Sequence, residues 1–431
     1  MSGASESSWA GEAGGKPIII PVPKDQRAYW EQNVPQQQDA LLLHGPGQAY
    51  RLHRNHSVPQ LVGDNEVLVK AAVIGLNPID WKAPDYNFGI SEFPFMSGRE
   101  LSGTICCVNA AGSRVLVGDR VIAISTDYRD YRKSAYQLYV VASDYNVVRV
   151  PRGVSLDEGA SIGVAFVTSA LALGICLGVD FSHVLGGPDL FRLVRGVDVA
   201  GIPDDVSRET LSSLDEHERA QPGDWLAIWG GSATSANLTI QLAKLAGLRV
   251  VVIVDQAKHG SWISQHSSIR PDLLVDSHDN DRAVEVIRAS TGGKLHFGID
   301  TRGRESATHL LRALARGPVS DSSDTFVVSP PSTPPRLDPN RLRRGHLVGL
   351  TGLPKENIPP SVALHTVPIK LFHEVPAVGR ALTSWLEQLL EAGRISAPRI
   401  IAVEHGLERV NPALDRMRRG EISGGKLVVR V

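Results

Sequence analysis

The spacing of apolar residues changes character near the middle of the chain. From Trp225 to about His373, short runs that are apolar throughout alternate with segments of helical spacing, such as residues 281–291 and 305–317. Continuous apolar runs are typical of strands buried on both faces of a parallel sheet. The alternation therefore predicts a doubly wound parallel sheet. Its predicted strands are Trp225–Trp229, Arg249–Val254, Leu273–Asp276, Phe297–Asp300, Thr325–Val328 and His346–Leu350.

The chain from Ala40 to about Val150 has a different pattern. Short runs with partial alternation of apolar and polar residues follow one another closely, separated by glycines and charged turns. Many short strands at such spacing predict an all-β subdomain, either a sandwich or a barrel. The predicted strands are Ala40–Leu43, Tyr50–Leu52, Glu66–Ile74, Leu101–Val108, Arg120–Ile124 and Ala135–Ala142.

Helical and irregular segments surround these two regions. A helix is predicted within Pro151–Gly174, and an amphipathic helix over Ala377–Gly393. Residues 178–221 are polar and charged, which predicts a long surface insertion. Residues 1–38 form an N-terminal extension whose first part, to about Gly15, is rich in Gly, Ser and Ala and is expected to be disordered. The segment from Gly420 to the end predicts a final strand.

Composition narrows the class of protein. The chain has 431 residues, 42% of them hydrophobic, and a formal net charge of −1, as in a soluble protein of two or three domains. The balanced charge gives no reason to expect nucleic acid or an anionic membrane as a partner. No apolar run approaches the length of a membrane span, and no secretory signal is evident, so a cytoplasmic location is expected.

The cysteines also fit the expected cytoplasmic location. Cys106, Cys107 and Cys176 cannot form a disulfide framework, and no C-x-x-C pair exists for zinc. They are interpreted as buried thiols in a reducing compartment.

The first predicted strand of the parallel sheet leads into a candidate phosphate site. Gly230 and Gly231 follow that strand at once, and a helix is predicted over Ser232–Ala246, ended by Gly247. A glycine turn before a helix N-terminus leaves backbone N–H groups and the positive helix end facing outward, which suits a pyrophosphate. The run departs from G-x-G-x-x-G, with Ala236 where a third glycine is often found. A plain structural crossover remains the alternative.

Five motifs in a fixed order carry a resemblance to a known family. They are NPIDWK at Asn77–Lys82, GRELSG at Gly98–Gly103, GDRV at Gly118–Val121, WGGSATS at Trp229–Ser235 and GEISGGKLVV at Gly420–Val429. The resemblance covers the chain from about Ala40 to Val431. On these motifs the chain resembles the medium-chain dehydrogenase/reductases. More narrowly, it is similar to the zinc-free fungal branch that contains the trans-acting enoyl reductases of highly reducing polyketide synthases.

The resemblance implies a two-domain fold. It implies a GroES-like β-barrel catalytic domain over residues 39–174 and 375–431, and a Rossmann cofactor-binding domain, a doubly wound parallel sheet, over residues 175–374 with the insertion 178–221. The overall class is α/β.

Zinc is not expected in the reaction. Where zinc-dependent relatives place Cys and His, this chain has Asn77 and Arg99. A catalytic zinc needs three protein ligands of the Cys, His or carboxylate type, so no metal centre is expected. Hydride chemistry without such a metal suits reduction of a C=C bond conjugated to a carbonyl, in which negative charge grows on the carbonyl oxygen.

By resemblance, three residues are candidates for catalysis. Lys82 would bond the cofactor's ribose hydroxyls or stabilise developing charge, Tyr86 would donate a proton, and Thr168 would lie near the substrate and nicotinamide. The alternatives are a surface charge, a packing tyrosine and a helix-capping threonine. The expected cofactor-binding residues are Pro78, Ile79, Asp80, Trp81, Gly230, Gly231, Ser232, Ala233, Thr234, Ser235, Asp255, Gln256, Ala257, Lys258, His259, Ser423 and Gly424.

Asp255 decides which nicotinamide cofactor is expected. A carboxylate at the end of the second strand usually accepts the adenosine ribose hydroxyls and repels a 2′-phosphate, which favours NADH. The enoyl reductases that this chain resembles use NADPH. In the predicted loop Gln256–His259, Lys258 can pair with a 2′-phosphate, and His259 can help when it is protonated. NADPH is therefore the favoured cofactor, with NADH the alternative.

The resemblance implies an NADPH-dependent, trans-acting enoyl reductase that reduces α,β-unsaturated thioesters on an acyl carrier protein of a fungal polyketide synthase. Its partners would be that carrier protein and a small-molecule enoyl substrate, and the enzyme would be a monomer. Two alternatives stay open: a quinone or free-enone reductase of the same branch, and a redox-inactive member that serves as a cyclase or binding partner.

Overall fold

The computed structural model describes residues 34–109, 112–125, 127, 129–314 and 343–431. The chain divides into two compact units. The first contains the chain up to Val164 together with Arg399–Ile422 and Lys426–Val431; the second contains Ala165–Pro398 and Ser423–Gly425. The predicted extension 1–38 lies almost wholly outside the described residues, and so does the predicted strand Thr325–Val328.

The strands in the described residues are, in chain order, β1 Gln37–Leu42, β2 Arg51–Ser57, β3 Glu66–Gly75, β4 Glu100–Asn109, β5 Arg120–Ile124, β6 Tyr139–Ser143, β7 Val147–Arg149, β8 Trp225–Trp229, β9 Arg249–Val254, β10 Leu273–Asp276, β11 Leu295–Asp300, β12 Gly345–Gly349, β13 Val362–His365, β14 Ile400–His405 and β15 Lys426–Arg430.

The α-helices in the same residues are α1 Ile79–Tyr86, α2 Leu156–Leu171, α3 Leu190–Arg195, α4 Asp204–Ser212, α5 Thr234–Leu245, α6 Gln256–Gln265, α7 Asn280–Thr291, α8 Arg304–Leu314, α9 Lys370–Glu374, α10 Pro376–Glu391 and α11 Val410–Arg418. A π-helical turn, Ala172–Cys176, continues α2.

The first unit is built on β-structure, as the sequence predicts. A seven-stranded sheet has the order β14-β15-β3-β4-β5-β7, with β6 also pairing with β3, and β1 and β2 form a separate antiparallel pair. Only β14 and β15 pair in parallel among these neighbours. The strand predicted at Ala135–Ala142 begins later, at Tyr139, because Ala135 and Tyr136 donate backbone bonds to Gly98 and Ser97 instead.

The second unit contains the predicted parallel sheet. Its six strands have the order β10-β9-β8-β11-β12-β13, and every neighbouring pair is parallel. The chain runs outward from β8 to β9 and β10, then crosses to β11 on the other side of β8. The carboxyl end of β8 is therefore the point where the strand order reverses, which is where ligands bind in such sheets.

The unit boundaries differ from the predicted domain limits at 174 and 375. Helix α10 and the residues after Val164 belong to the second unit. Trp385 on α10 explains this, because its ring lies 5.5 Å from that of Phe166 and 4.7 Å from that of Phe181. Its indole N–H donates to the carbonyl of Val184 at 2.9 Å. These contacts attach the helix to the Rossmann unit.

Residues 178–221, predicted as a surface insertion, are partly packed into the second unit. The segment contains α3 and α4, and its Phe181, Leu190 and Phe191 are almost fully buried. Arg219 is 5% exposed and pairs with Asp189 at 2.8 Å. The polar composition that suggested a surface loop therefore includes charges that are paired inside the unit.

One helical segment among the described residues, Leu156–Cys176, has the length and hydropathy of a membrane span. Within its most apolar window, 89% of the residues are buried inside the protein. Its apolar surface is thus covered by packing, as in a core helix.

Candidate active site

The turn between β8 and α5 requires both of its glycines. Gly230 has φ +85°, and a Cβ added there would lie 2.3 Å from Oγ1 of Thr301. A Cβ at Gly231 would lie 2.1 Å from Cγ1 of Val252. Both glycine N–H groups donate to the carbonyl of Ile253, at 3.0 and 3.1 Å. The backbone therefore turns tightly against β9, and any side chain would prevent this approach.

The start of α5 has no side-chain cap. The N-cap residue is Ala233, whose side chain makes no capping hydrogen bond. Alanine is disfavoured at this position, because Ser, Thr, Asp and Asn there satisfy an N–H group that the helix leaves without a partner. Residues Ser232–Ser235 are partly exposed. An uncapped, accessible helix start at the point of strand reversal fits a pyrophosphate better than a plain crossover.

Arg302 adds a cation to this turn that the sequence did not reveal. A Cβ at Gly230 would lie 2.7 Å from Cγ of Arg302, so the arginine stem lies against the glycine, and the residue is exposed. The buried Asp300 carboxylate accepts the N–H groups of Arg302 and Gly303, at 3.0 and 2.7 Å. Burial raises the pKa of Asp300. The only sequence signal was that Arg302 follows a strand, β11.

The predicted loop Gln256–His259 is instead the first turn of α6, with Asp255 as its N-cap. Oδ1 of Asp255 accepts the N–H of Lys258 at 2.9 Å. Gln256 is also engaged, because its N–H donates to Asp276 at 3.0 Å and its side-chain amide to Leu274 at 3.0 Å. The neighbouring Ala257 is exposed. The carboxylate predicted to hold the ribose thus already caps a helix.

Two basic residues, Lys258 and His278, lie near Asp255. Lys258 is exposed on the first turn of α6. His278, which follows β10, lies with its Nε2 3.6 Å from Oδ2 of Asp255 and its Nδ1 3.1 Å from the carboxylate of Asp276. The hydrogen bond with Asp276 raises the pKa of this exposed histidine. His278 was not predicted, because only the pairing of β9 with β10 brings it to Asp255.

Three predicted cofactor-binding residues come together at the buried side of α6. Nε2 of His259 is 2.9 Å from Oγ of Ser423, and a Cβ at Gly424 would lie 3.0 Å from the same ring. Burial, and then the charge of Lys258, lowers the pKa of His259. The expectation that a protonated His259 helps to hold a phosphate is therefore not supported, because the site favours the neutral ring.

Thr168 lies on a helix that is fixed to the same turn. It is half-buried on α2. The next residue, Ser169, donates from its hydroxyl to the carbonyl of Ser235 at 2.9 Å and receives a bond from Oγ1 of Thr239 at 2.9 Å. These bonds hold this part of α2 against the start of α5.

The other catalytic candidates lie in the first unit, on α1. Lys82 and Tyr86 are four residues apart and so share one helix face. Tyr86 is 69% exposed, and its ring centroid is 6.4 Å from that of Trp81. The Lys82 ammonium lies 5.7 Å from the Trp81 ring, and the guanidinium of Arg418 lies 5.6 Å from it. Pro78 and Ile79, at the helix start, are exposed and half-buried respectively.

Asp80 is not available to a cofactor. Its exposure is 0%, and its Oδ2 accepts the N–H of Asn77 at 2.8 Å while Ser97 donates to Oδ1 at 3.4 Å. Burial raises the pKa of this carboxyl group. A side chain without exposed surface makes no direct ligand contact in this conformation, so the predicted cofactor role of Asp80 is replaced by support of the α1 start.

Three of the motifs meet at a buried ion pair. The Lys426 ammonium donates to Glu100 at 2.5 Å and to the Asn77 side chain at 2.7 Å, and Asn77 donates to Glu100 at 3.1 Å. The side chains of Lys426 and Glu100 are 3% and 0% exposed. The second Glu100 oxygen accepts the N–H of Val164 at 2.9 Å. Asn77, which stands where zinc-dependent relatives carry a cysteine, is thus bound to an ammonium group.

Comparison with known proteins finds one matching domain family and several similar fungal proteins. Residues 63–152 match the family described as the alcohol dehydrogenase GroES-like domain. Over 413 residues the chain is 27% identical to the trans-enoyl reductase caaB of Aspergillus niger, a match that covers 92% of this chain and 98% of the relative. Other fungal trans-enoyl reductases match a similar share of the chain.

Solved structures share the fold. The CurK enoyl reductase is 18% identical, with a TM-score of 0.61, and the match covers 91% of this chain and 99% of that one. A mycobacterial protein, Rv1454c, complexed with NADPH, is 18% identical with a TM-score of 0.64, over 91% and 100% of the two chains. The predicted fold class, a GroES-like domain with a Rossmann sheet, is confirmed.

Proposed function

We propose that this chain is an NADPH-dependent, trans-acting enoyl reductase of the medium-chain dehydrogenase/reductase type, an oxidoreductase that acts on C=C bonds. Its proposed substrates are α,β-unsaturated thioesters on the acyl carrier protein of a polyketide synthase. The observation that carries the cofactor role is the uncapped start of α5 at the point of strand reversal. Nearly full-length similarity to fungal trans-enoyl reductases supports the substrate class.

The residues at the turn fit a dinucleotide. The first N–H groups of α5 would hold the pyrophosphate beside the tight turn at Gly230 and Gly231, and Arg302 would add a charge-assisted hydrogen bond. When bound, the reduced nicotinamide supplies a hydride to Cβ of the enoyl thioester.

Side chains of the protein would then stabilise the negative charge on the thioester oxygen and supply the proton to Cα. As hydride reaches Cβ, the C=C electron pair moves toward the thioester oxygen, and Lys82 would donate a hydrogen bond to the negative charge that develops there. Tyr86, on the same face of α1, would deliver its phenolic proton to Cα, completing a saturated thioester. The exposure of Tyr86 allows solvent to restore that proton. Thr168 would contribute a hydroxyl beside the turn.

NADPH is the proposed cofactor. Because Asp255 caps α6 through its Oδ1, its carboxylate is less available to ribose hydroxyls than the sequence suggested. Lys258 is exposed, and Asp276 raises the pKa of His278, so the Lys258 ammonium, and His278 when it is protonated, would attract a 2′-phosphate. This attraction would offset the repulsion between the 2′-phosphate and the Asp255 carboxylate, which is already hydrogen-bonded.

The test follows absorbance of the reduced cofactor with three substrates. We expect consumption of NADPH with a crotonyl thioester of pantetheine, faster turnover when the same acyl group is carried by the acyl carrier protein, and little turnover with a simple quinone. Turnover of quinone alone would favour a free-enone or quinone reductase. If neither NADPH nor NADH binds in calorimetry, the reductase proposal is wrong.

We also propose that the active enzyme is a monomer in the cytoplasm. Size-exclusion chromatography with light scattering measures its mass in solution and so tests the monomer.

The proton donor is tested by Tyr86→Phe. Loss of a positioned acid is expected to lower kcat by roughly 10²–10⁴-fold while the KM for the thioester changes little. Phe88→Leu is a matched control, because Phe88 is also an exposed aromatic residue, 44% accessible, just beyond α1. Equal losses in the two variants would assign Tyr86 to substrate packing instead.

A further inference from the structure

Three side chains of the metal-binding type meet in the second unit, and none of them has been assigned to cofactor or substrate. Cys176 ends the π-helical turn after α2, Glu209 lies on α4, and His365 ends β13. One ligand atom from each residue lies within 4.8 Å of the other two. The ligands are far apart in sequence, so no spacing pattern revealed the cluster.

Two of the three side chains in the cluster are fully buried, and the third is partly exposed. Cys176 and His365 are 0% exposed, whereas the side chain of Glu209 is 18% exposed. Nδ1 of His365 lies 2.7 Å from Oε1 of Glu209. The partly exposed carboxylate provides an entry for an ion, and the other two groups are already in place behind it.

Further polar groups orient the three side chains. Nε2 of His365 lies 3.0 Å from Nδ1 of His346, and Ser213 donates to Oε1 of Glu209 at 3.1 Å. Hydrogen bonds to the far nitrogen of a ligating histidine and to a ligating carboxylate are the usual support of a protein metal site, because they fix ring orientation and tautomer.

We propose that Cys176, Glu209 and His365 bind one zinc ion, with water as the fourth ligand. Thiolate, carboxylate and imidazole are the ligands that zinc takes in proteins. On binding, the Cys176 thiol releases its proton, and the thiolate and carboxylate together balance the two positive charges, which suits an enclosed position. Because zinc takes a ligand nitrogen or oxygen at about 2.0 Å in tetrahedral geometry, Nδ1 of His365 and Oε1 of Glu209, now 2.7 Å apart, would separate slightly to admit the ion.

The ion would act on the fold rather than on hydride transfer. Glu209 belongs to the segment 178–221, and His365 to β13, the edge strand of the parallel sheet. Zinc would therefore link that segment to the sheet edge. A second group of potential ligands, Asp215, His217 and Glu218, is explained without metal, because Asp215 and Glu218 form a capping box and Glu218 also binds Arg344.

The experiment measures metal binding directly on the full chain. Chelator-treated protein is titrated with Zn²⁺ against a chromophoric chelator, and separately with Co²⁺, whose near-ultraviolet charge-transfer band reports a thiolate ligand. We expect one Zn²⁺ per chain, a thiolate band with Co²⁺, and a rise in Tm on adding zinc. Cys176→Ser should abolish the band, and His346→Gln should weaken zinc binding by about 10–100-fold through loss of ring support.

Two controls isolate the site. Cys107→Ser removes another buried thiol, in the first unit, and His53→Gln removes one partner of the His44–His53 pair, whose Nε2 atoms are 2.8 Å apart. Both should keep the cobalt band. Absence of a stoichiometric zinc site or of the thiolate band in the wild-type chain would overturn the proposal, and so would an unchanged band in Cys176→Ser. Neither readout depends on NADPH or on enoyl reduction.

Discussion

Two regions that carry the family motifs use their polar groups in opposite ways. In the first unit, Lys426, Glu100 and Asn77 bond one another and are almost fully buried. In the second unit, the turn from Gly230 to Ser235 leaves the first N–H groups of α5 uncapped and partly exposed. One region satisfies its charges internally, whereas the other leaves backbone N–H groups accessible.

The difference separates residues that stabilise the fold from residues that are proposed to bind the cofactor. Motif membership alone did not make this distinction, since Asp80 and Lys82 belong to the same motif, NPIDWK. Asp80 is fully buried and supports α1, while Lys82 is half-buried beside Trp81. Substitutions in the first region should therefore change the free energy of unfolding, and those in the second should change ligand affinity.

The largest expected effect is on stability, from Lys426→Met. Removing the ammonium leaves the Glu100 carboxylate buried without its cation, and breaking a buried pair in this way lowers the free energy of unfolding by about 3–5 kcal/mol. Urea unfolding of the wild type and the variant measures the difference. Adding Glu100→Gln should recover much of the loss, because the second change removes the buried charge.

A matched control lies on the same strand. Arg430 on β15 pairs with Asp157, but the arginine side chain is 52% exposed. Arg430→Met should therefore change the free energy of unfolding far less than Lys426→Met does. Equal losses for Lys426→Met and Arg430→Met would mean that the first pair is not distinguished by its burial.

The second prediction concerns a substitution that caps the start of α5. Ala233→Asp would place a carboxylate at the N-cap of α5, where capping contributes about 1 kcal/mol to stability. The same carboxylate would occupy the N–H groups that we propose bind the pyrophosphate, and its charge would repel the phosphates. We expect a higher Tm of the cofactor-free protein and at least about tenfold weaker NADPH binding, or ~1.4 kcal/mol, measured by calorimetry.

Ala233→Ser separates the two causes. Serine caps the helix without adding charge. It should raise the Tm similarly but weaken NADPH binding less than aspartate does. If Ala233→Asp leaves NADPH affinity unchanged, the start of α5 does not hold the phosphates.

The sequence was sufficient where local pattern decides the structure. The strands β5, β8, β9 and β10 begin and end as predicted, because each is an apolar run bounded by turn residues. The strands β13 and β14 were missed. For β14 the reason is that Ile400–His405 is partly exposed along most of its length, and a half-exposed strand lacks the apolar contrast that identifies buried ones. Val362–His365 is as long as β10, so its length does not explain why β13 was missed.

The candidate site was predictable only in part for a related reason. The glycine turn follows from neighbours in sequence, but Arg302 and His278 reach the site through the strand order, β11 beside β8 and β10 beside β9. Asp255 shows the same limit, because its capping role depends on α6 starting at Gln256. Apolar spacing does not determine which strands are adjacent, and helix boundaries are uncertain by a turn or so.

The third prediction concerns the choice between cofactors. Lys258→Ala should raise the KM for NADPH by about fivefold, equivalent to ~1 kcal/mol for an exposed pair, and leave the KM for NADH nearly unchanged. The reason is that only NADPH carries the 2′-phosphate that the ammonium would contact. Steady-state kinetics with both cofactors checks it, and Lys244→Ala, a lysine near the far end of α5, serves as a control. Equal changes for NADPH and NADH would remove Lys258 from phosphate recognition.

The smallest expected effect is a dependence of the KM for NADPH on pH, set by His278. Asp276 holds the pKa of this imidazole above its ordinary value near 6.5, so the charged form persists further toward neutral pH. Its attraction for a 2′-phosphate is fully present at pH below the ordinary pKa and is lost as the pH rises through the raised one. From pH 6 to pH 9 the KM for NADPH should therefore rise by about two- to threefold, within the range of an exposed pair. His278→Gln should flatten this profile, and NADH should show no such rise in either protein. A profile that is unchanged in His278→Gln would assign the titration to another group and leave Lys258 as the cation that selects NADPH.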